Sequence, residues 1–144
     1  MKILVLNGPN LNLLGLREPS LYGTETYDDL CRKIRDGAEK LGAEVTIRQS
    51  NHEGVLVDEI QNARGAFDGI VLNAGGYTHT SVALLDALLA VKVPSVEVHI
   101  TDPDAREDFR RVNFLRAACV ATVKGHGTDG YVEALALLIE KYGN

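Results

Sequence analysis

Short runs of β-branched and aliphatic residues alternate with segments of helical periodicity along this chain, and that alternation constrains its fold more than any other feature. The pattern predicts strands at 2–7, 43–49, 69–73, 95–100 and 118–124, and helices at 27–41, 55–64, 81–91, 105–110 and 131–142. Thr26 precedes the first helix as an N-cap, Asp28 and Asp29 occupy its first turn, and Gly42 follows its last residue. Ile70-Val71-Leu72 shows no polar alternation, as expected of a strand covered on both faces. This order implies an α/β, flavodoxin-like three-layer sandwich over residues 1–144, one domain with a five-stranded parallel sheet of order 2-1-3-4-5. Ligands of such sheets bind beyond the carboxyl ends of the strands. Asn7 and Asn10, Ser50 and Asn51, Asn73, and His99 with Thr101 all end or follow strands, so polar residues collect on that one edge.

Composition removes several classes of function. A net charge of −5 argues against a nucleic-acid surface, which needs clustered Lys and Arg. The group Arg106, Arg110, Arg111, Arg116 is interrupted by Glu107 and Asp108 and reads as part of a site rather than a track. Cys31 and Cys119 lie far apart in apolar-periodic segments, as reduced buried thiols do, and no His/Cys spacing suits a metal. The apolar run Ile3-Leu4-Val5-Leu6 is too short for a signal peptide or a membrane span, so the expected location is the cytoplasm.

Gly125-His126-Gly127-Thr128-Asp129-Gly130 has the glycine spacing of a dinucleotide fingerprint after a strand and before a helix. That motif also needs a second strand and an acidic residue about 20 positions on, and residues 131–144 supply neither. The expectation is a tight strand-to-helix turn. Four other features carry chemistry more readily, although each taken alone also suits an ordinary structural role. The connection 8–25 is long enough for a lid and holds Asn10, Arg17 and Tyr22. A phenol ionises near pH 10, and a guanidinium about 4 Å away would favour its phenolate by roughly 4 kcal/mol at an effective dielectric near 20. The stretch 73–81, Asn-Ala-Gly-Gly-Tyr-Thr-His-Thr-Ser, lets backbone approach a ligand. Glu97 and His99 share one face of a strand, where the carboxylate can orient or charge the imidazole. Arg106 and Arg110, one helical turn apart, would clamp a carboxylate or hydroxyls.

Together these stretches resemble one family, the type II 3-dehydroquinate dehydratases. The likeness rests on Asn7-Gly8-Pro9-Asn10-Leu11, Leu14-Gly15, Arg17-Glu18-Pro19, Tyr22-Gly23, the stretch 49–54, Asn73-Ala74-Gly75-Gly76, Thr78-His79-Thr80-Ser81, Glu97-Val98-His99-Ile100, Arg106-Glu107 and Phe109-Arg110. It runs from Ile3 to the last helix. The resemblance implies anti elimination of water from 3-dehydroquinate to give 3-dehydroshikimate through an enolate, without metal or cofactor. It implies Tyr22 as the base, Arg17 lowering its pKa, Asn10 holding a water at the enolate oxygen, and His99 as the acid oriented by Glu97. Asn73 with Ile100 and Thr101 would bind the carboxylate. His79, Arg110 and Asp86 would recognise hydroxyls, Asp86 from a neighbouring subunit of a homododecamer, a tetramer of trimers.

Three positions depart from the family pattern: Leu85, where Arg is common; Asp102-Pro103-Asp104, which adds negative charge near the expected carboxylate site; and His126. The first puts a subunit contact in question, the second predicts altered affinity, and the third has no account in the sequence. Two rivals remain, a flavodoxin-like nucleotide or flavin module without this activity, and a Schiff-base dehydratase. Among the lysines only Lys92 and Lys124 lie near strand ends, and neither shows an activating pocket in the sequence. Quinate breakdown would use the same reaction as aromatic amino acid biosynthesis, so the sequence leaves the two roles open.

Overall fold

The computed structural model describes residues 1–16, 20 and 23–143. Five strands, β1 (Lys2–Asn7), β2 (Glu44–Gln49), β3 (Gly69–Asn73), β4 (Ser95–His99) and β5 (Ala121–Lys124), form one parallel sheet of order β2-β1-β3-β4-β5. Among the described residues four helices flank it: α1 (Tyr27–Leu41), α2 (Glu53–Ala63), α3 (Val82–Val91) and α4 (Asp129–Tyr142). Thr26 and Asp29 close a reciprocal capping box at the start of α1, and Gly42 ends it in the left-handed region at φ 73°.

The strand period of two sorts the core into halves. Ile3 and Val5 of β1, Val71 of β3 and Val96 and Val98 of β4 pack against Leu30 and Ile34 of α1 and Tyr131, Leu135 and Leu138 of α4. Leu4, Leu6, Ile70 and Leu72 pack on the opposite side against Leu56 and Ile60 of α2 and Leu84 and Leu88 of α3. Every residue of β3 and β4 is buried, including Asn73, Ser95, Glu97 and His99. Among the described residues no helix is long and apolar enough to cross a membrane.

Two expected elements differ. The helix expected at 105–110 is instead a pair of 3₁₀ turns, Pro103–Ala105 and Asp108–Arg111, separated by Arg106 in extended conformation (φ −108°, ψ −150°). The fifth strand begins later than expected, because Arg116–Ala118 form a 3₁₀ turn.

The ends of β1 and β3 meet backbone to backbone. Gly8 donates its N–H to the Asn73 carbonyl at 2.7 Å, and a Cβ on Gly8 would lie 2.4 Å from the Ala74 carbonyl oxygen. Any larger residue would have to push these two loops apart. Gly8→Ala should therefore cost about 1–3 kcal/mol by overpacking. Gly54→Ala meets no atom within 4 Å and should be neutral or slightly stabilising. Urea unfolding of both variants checks this, and equal effects would refute a tight contact at Gly8.

Candidate active site

Pairing β1 with β3 sets Asn7 beside Asn73 on the side facing α1 and α4. There the two amides find the buried phenol of Tyr131 and the partly buried one of Tyr27. Tyr131 donates its hydroxyl to Asn7 Oδ1 at 2.7 Å, and Asn73 Nδ2 donates to the Tyr131 oxygen at 2.8 Å. Asn7 Nδ2 donates in turn to the Tyr27 oxygen at 3.3 Å, and Asn73 Oδ1 accepts from Gly75 N. Burial pushes Tyr27 up to about 12 and raises Tyr131 as well, so these phenols serve as neutral struts rather than bases.

Above this network lies a cavity of about 400 Å³. Asn10, Asn73, His79, His99, Ile100, Thr101, Arg106 and Arg110 all line it, so most of the sequence-expected residues converge on one space. Asn10 sits in the left-handed region at φ 71°, with its N–H bonded to Asn51 Oδ1. The end of β2 supports this turn, as Gln49 Nε2 donates to the Gly8 carbonyl, Asn12 and Asn51. His79 Nδ1 lies 2.6 Å from the Val112 carbonyl, which can only accept. That contact places a proton on Nδ1. Arg110 is braced by Glu107 at 2.6 Å.

Glu97 and His99 point to the α2/α3 side of β4. His99 Nε2 lies 2.9 Å from Glu97 Oε2, and Glu97 is 1% exposed. Burial opposes ionisation of Glu97, but bonds from His99, Thr122 and Asn113 outweigh it and hold the carboxyl at about 2. With Nε2 committed to Glu97, Nδ1 is the nitrogen His99 can offer to a ligand.

The glycine-rich turn after β5 acquires a role invisible in its spacing. Gly125 N bonds to the carbonyls of His99 and Thr101, and Gly127 N to that of Ile100. Both glycines have positive φ, 77° and 61°. The turn therefore grips the cavity-lining segment 99–101 by its backbone. The added negative charge of Asp102-Pro103-Asp104 is compensated too, because Lys124 Nζ reaches Asp104 at 2.5 Å and Asp102 at 3.4 Å. His126 pairs with Glu133 at 2.6 Å.

Asp86 is exposed on α3 and does not line the cavity. Arg17 and Tyr22 lie outside the described residues. The described ends of their loop do come together, since a Cβ on Gly15 would fall 3.1 Å from the Glu25 carbonyl, and Leu14 lines the cavity. Sequence reasoning placed Arg116 in a basic group belonging to a site, but missed Asn113, Thr122, Tyr27 and Tyr131. Only Thr122 left a faint signal, as a polar residue within a predicted strand.

A doubly wound sheet with a buried carboxylate–imidazole pair at the wall of a polar cavity defines an enzyme that moves protons on a small polar molecule. The chain matches the family described as dehydroquinase class II over residues 1–139. It is 54% identical over 145 residues to the 3-dehydroquinate dehydratase of Fusobacterium nucleatum, covering 99% of each chain. It is also 54% identical over 138 residues to catabolic 3-dehydroquinase 2 of Aspergillus flavus, covering 96% of this chain and 92% of that one. The crystal structure of type II dehydroquinase from Butyrivibrio crossotus superposes with a TM-score of 0.94 at 45% identity, covering 96% and 97% of the two chains. The chain belongs to the class II dehydroquinase family.

The depressed Glu97 pKa makes the fold sensitive to acid. An unfolded glutamate ionises near 4.3, so the stabilisation is fully present above that pH and is lost as pH falls toward 2. The amount is on the order of 3 kcal/mol. Glu97→Gln should flatten the stability–pH curve between pH 5 and 2, and denaturant titrations across that range measure it.

Proposed function

We infer that this chain eliminates water from 3-dehydroquinate to give 3-dehydroshikimate, acting as one catalytic domain over residues 1–144. The observation that carries this reading is the Glu97–His99 pair opening onto a cavity that Asn10, Asn73, His79, Ile100, Thr101 and Arg110 also line. Tyr22, as phenolate, takes the proton from C2 beside the C3 ketone, and the C–H electrons pass into an enolate. Arg17 favours that phenolate by its charge. Asn10 holds a water against the enolate oxygen, where negative charge develops. Collapse of the enolate forms the C1–C2 double bond and expels the C1 hydroxyl, which takes a proton from His99 and leaves as water. Glu97 stabilises the imidazolium before that transfer.

Asn73 and the Ile100–Thr101 segment take the substrate carboxylate, while His79 and Arg110 take ring hydroxyls. The grip of Gly125 and Gly127 on carbonyls 99–101 supports this, because it keeps the segment's backbone fixed beside the cavity. The role we assign is in the shikimate pathway of aromatic amino acid biosynthesis, in the cytoplasm. Quinate catabolism has one observation behind it, the catabolic name of the Aspergillus flavus relative.

Purified protein mixed with 3-dehydroquinate should generate enone absorbance in the ultraviolet, and borohydride added with substrate should not inactivate it. Arg17→Met should lower kcat at pH 7 by orders of magnitude, with partial recovery as pH rises toward 10 and the phenol ionises unaided. Tyr22→Phe should stay inactive throughout. An active Tyr22→Phe enzyme would overturn the assignment of the base.

The same reading makes the protein a homo-oligomer of trimers, arranged as a dodecamer, with Asp86 entering a neighbour's site. Asp86 is supported there by its exposure on α3 between Val82 and Leu89, themselves 49% and 51% exposed, an apolar surface suited to a subunit contact. Light scattering should return a multiple of three chains, and Asp86→Ala should raise KM. A fully active monomer would remove Asp86 from the site.

A further inference from the structure

The Glu97 carboxylate accepts from more donors than its catalytic partner supplies. Oε2 receives His99 Nε2 at 2.9 Å and Asn113 Nδ2 at 2.9 Å. Oε1 receives Thr122 Oγ1 at 2.5 Å, Asn113 Nδ2 at 3.2 Å and Arg116 Nε at 3.3 Å. Thr122 is the register partner of Glu97 across β4 and β5, so sheet pairing brings its hydroxyl there. Asn113 is locked from its other end, because its Oδ1 accepts from the N–H groups of Leu115 and Arg116 at 2.8 and 2.9 Å. This fixes the amide with its NH₂ toward Glu97. Arg116 is 47% exposed, so solvent screens its charge and the two neutral donors dominate. Neither Asn113 nor Thr122 lines the cavity.

We propose that Asn113 and Thr122 are positioning residues for the acid of this reaction, holding the Glu97 carboxylate charged and aimed at His99. The proposal rests on the assignment of His99 as proton donor. A buried carboxylate with fewer donors protonates more readily, and a neutral Glu97 cannot stabilise the imidazolium. Among the described residues, the ionisable groups around Glu97 are His99 on its own strand and Arg116 and Cys119 from the segment that covers it. Burial, with the Glu97 charge behind it, pushes the Cys119 thiol up to about 12, so Cys119 stays neutral. The register partner on β3 is Leu72, which is apolar. Nothing else nearby replaces a lost donor from Asn113 or Thr122 among the described residues.

Three variants separate positioning from mere structural support. Thr122→Val removes the hydroxyl at nearly constant shape, and Thr122→Ser keeps it. Asn113→Asp retains the oxygen that accepts from Leu115 and Arg116 while placing a like charge against Glu97. The Glu97 side-chain carboxyl carbon, followed by ¹³C NMR against pH without substrate, should titrate about one to two pH units higher in Thr122→Val and Asn113→Asp. In both variants kcat should fall about tenfold with KM within about twofold. Thr122→Ser should restore the wild-type titration and kcat. Should one variant fail to fold, the other gives the same two readouts. An unmoved carboxyl titration with unchanged kcat would overturn the proposal, as would Thr122→Ser behaving like Thr122→Val. A displaced carboxyl titration in a protein that does not turn over 3-dehydroquinate would instead uphold the donor set and refute the functional assignment.

Discussion

Burial of a parallel sheet on both faces is the constraint from which the rest of this structure follows. Helices on each side keep water away from β3 and β4, so a polar side chain placed on them must find its partners within the protein. Asn73, Glu97 and His99 are such side chains, and Asn7 at the end of β1 is another. Their hydrogen bonds are what shape the cavity floor. The Asn7–Tyr131–Asn73 chain ties β1, β3 and α4 together, and the Glu97 cluster ties β4 to β5 and to the segment 113–119. The apolar core beneath holds the strands in register, and the register delivers these groups to each other.

The same constraint explains why the site can do acid–base chemistry. A carboxylate buried alone would become neutral, because desolvation disfavours its charge. Glu97 stays ionised because four residues supply donors to it. At Tyr131 and the partly buried Tyr27, burial outweighs the lowering contributions of Asn73, and of Asn7 and Arg35, and both phenols remain neutral. Groups of similar appearance at one sheet edge thus divide into titrating and structural ones. That division is set by their neighbours rather than by their residue type.

Much of the architecture was legible in the chain. Helix α1 has the predicted limits because each end carries its own signal, Thr26 with Asp29 at the start and Gly42 at the finish. The strands β1 and β3 also match, being short apolar runs ended by turn residues. The failure at 105–110 has a physical cause. Arg106 and Arg110 have helical spacing, but Pro103 and the Asp102 side chain, which accepts from Asp104 N, fix a turn that ends before a helix can propagate. Helical periodicity over six residues is too weak to decide against such local bonds.

Sequence alone determined the alternation of elements, the sheet order and the edge on which polar residues collect, because these depend on local propensity and on the rules by which parallel sheets are covered. It also carried the family likeness, residue by residue. Tertiary structure decided the partnerships. Thr122 stands opposite Glu97 only because β4 and β5 pair in one register, and Asn113 reaches the same carboxylate from a segment without regular structure. The glycines of residues 125–130 look like a nucleotide loop in the sequence, yet in space they hold the carbonyls of 99–101. Lys124 answers the charge of Asp102 and Asp104 from twenty or more positions further along the chain. Such contacts join residues far apart in sequence, and no local pattern encodes them, because their distance is fixed only when the strands have paired.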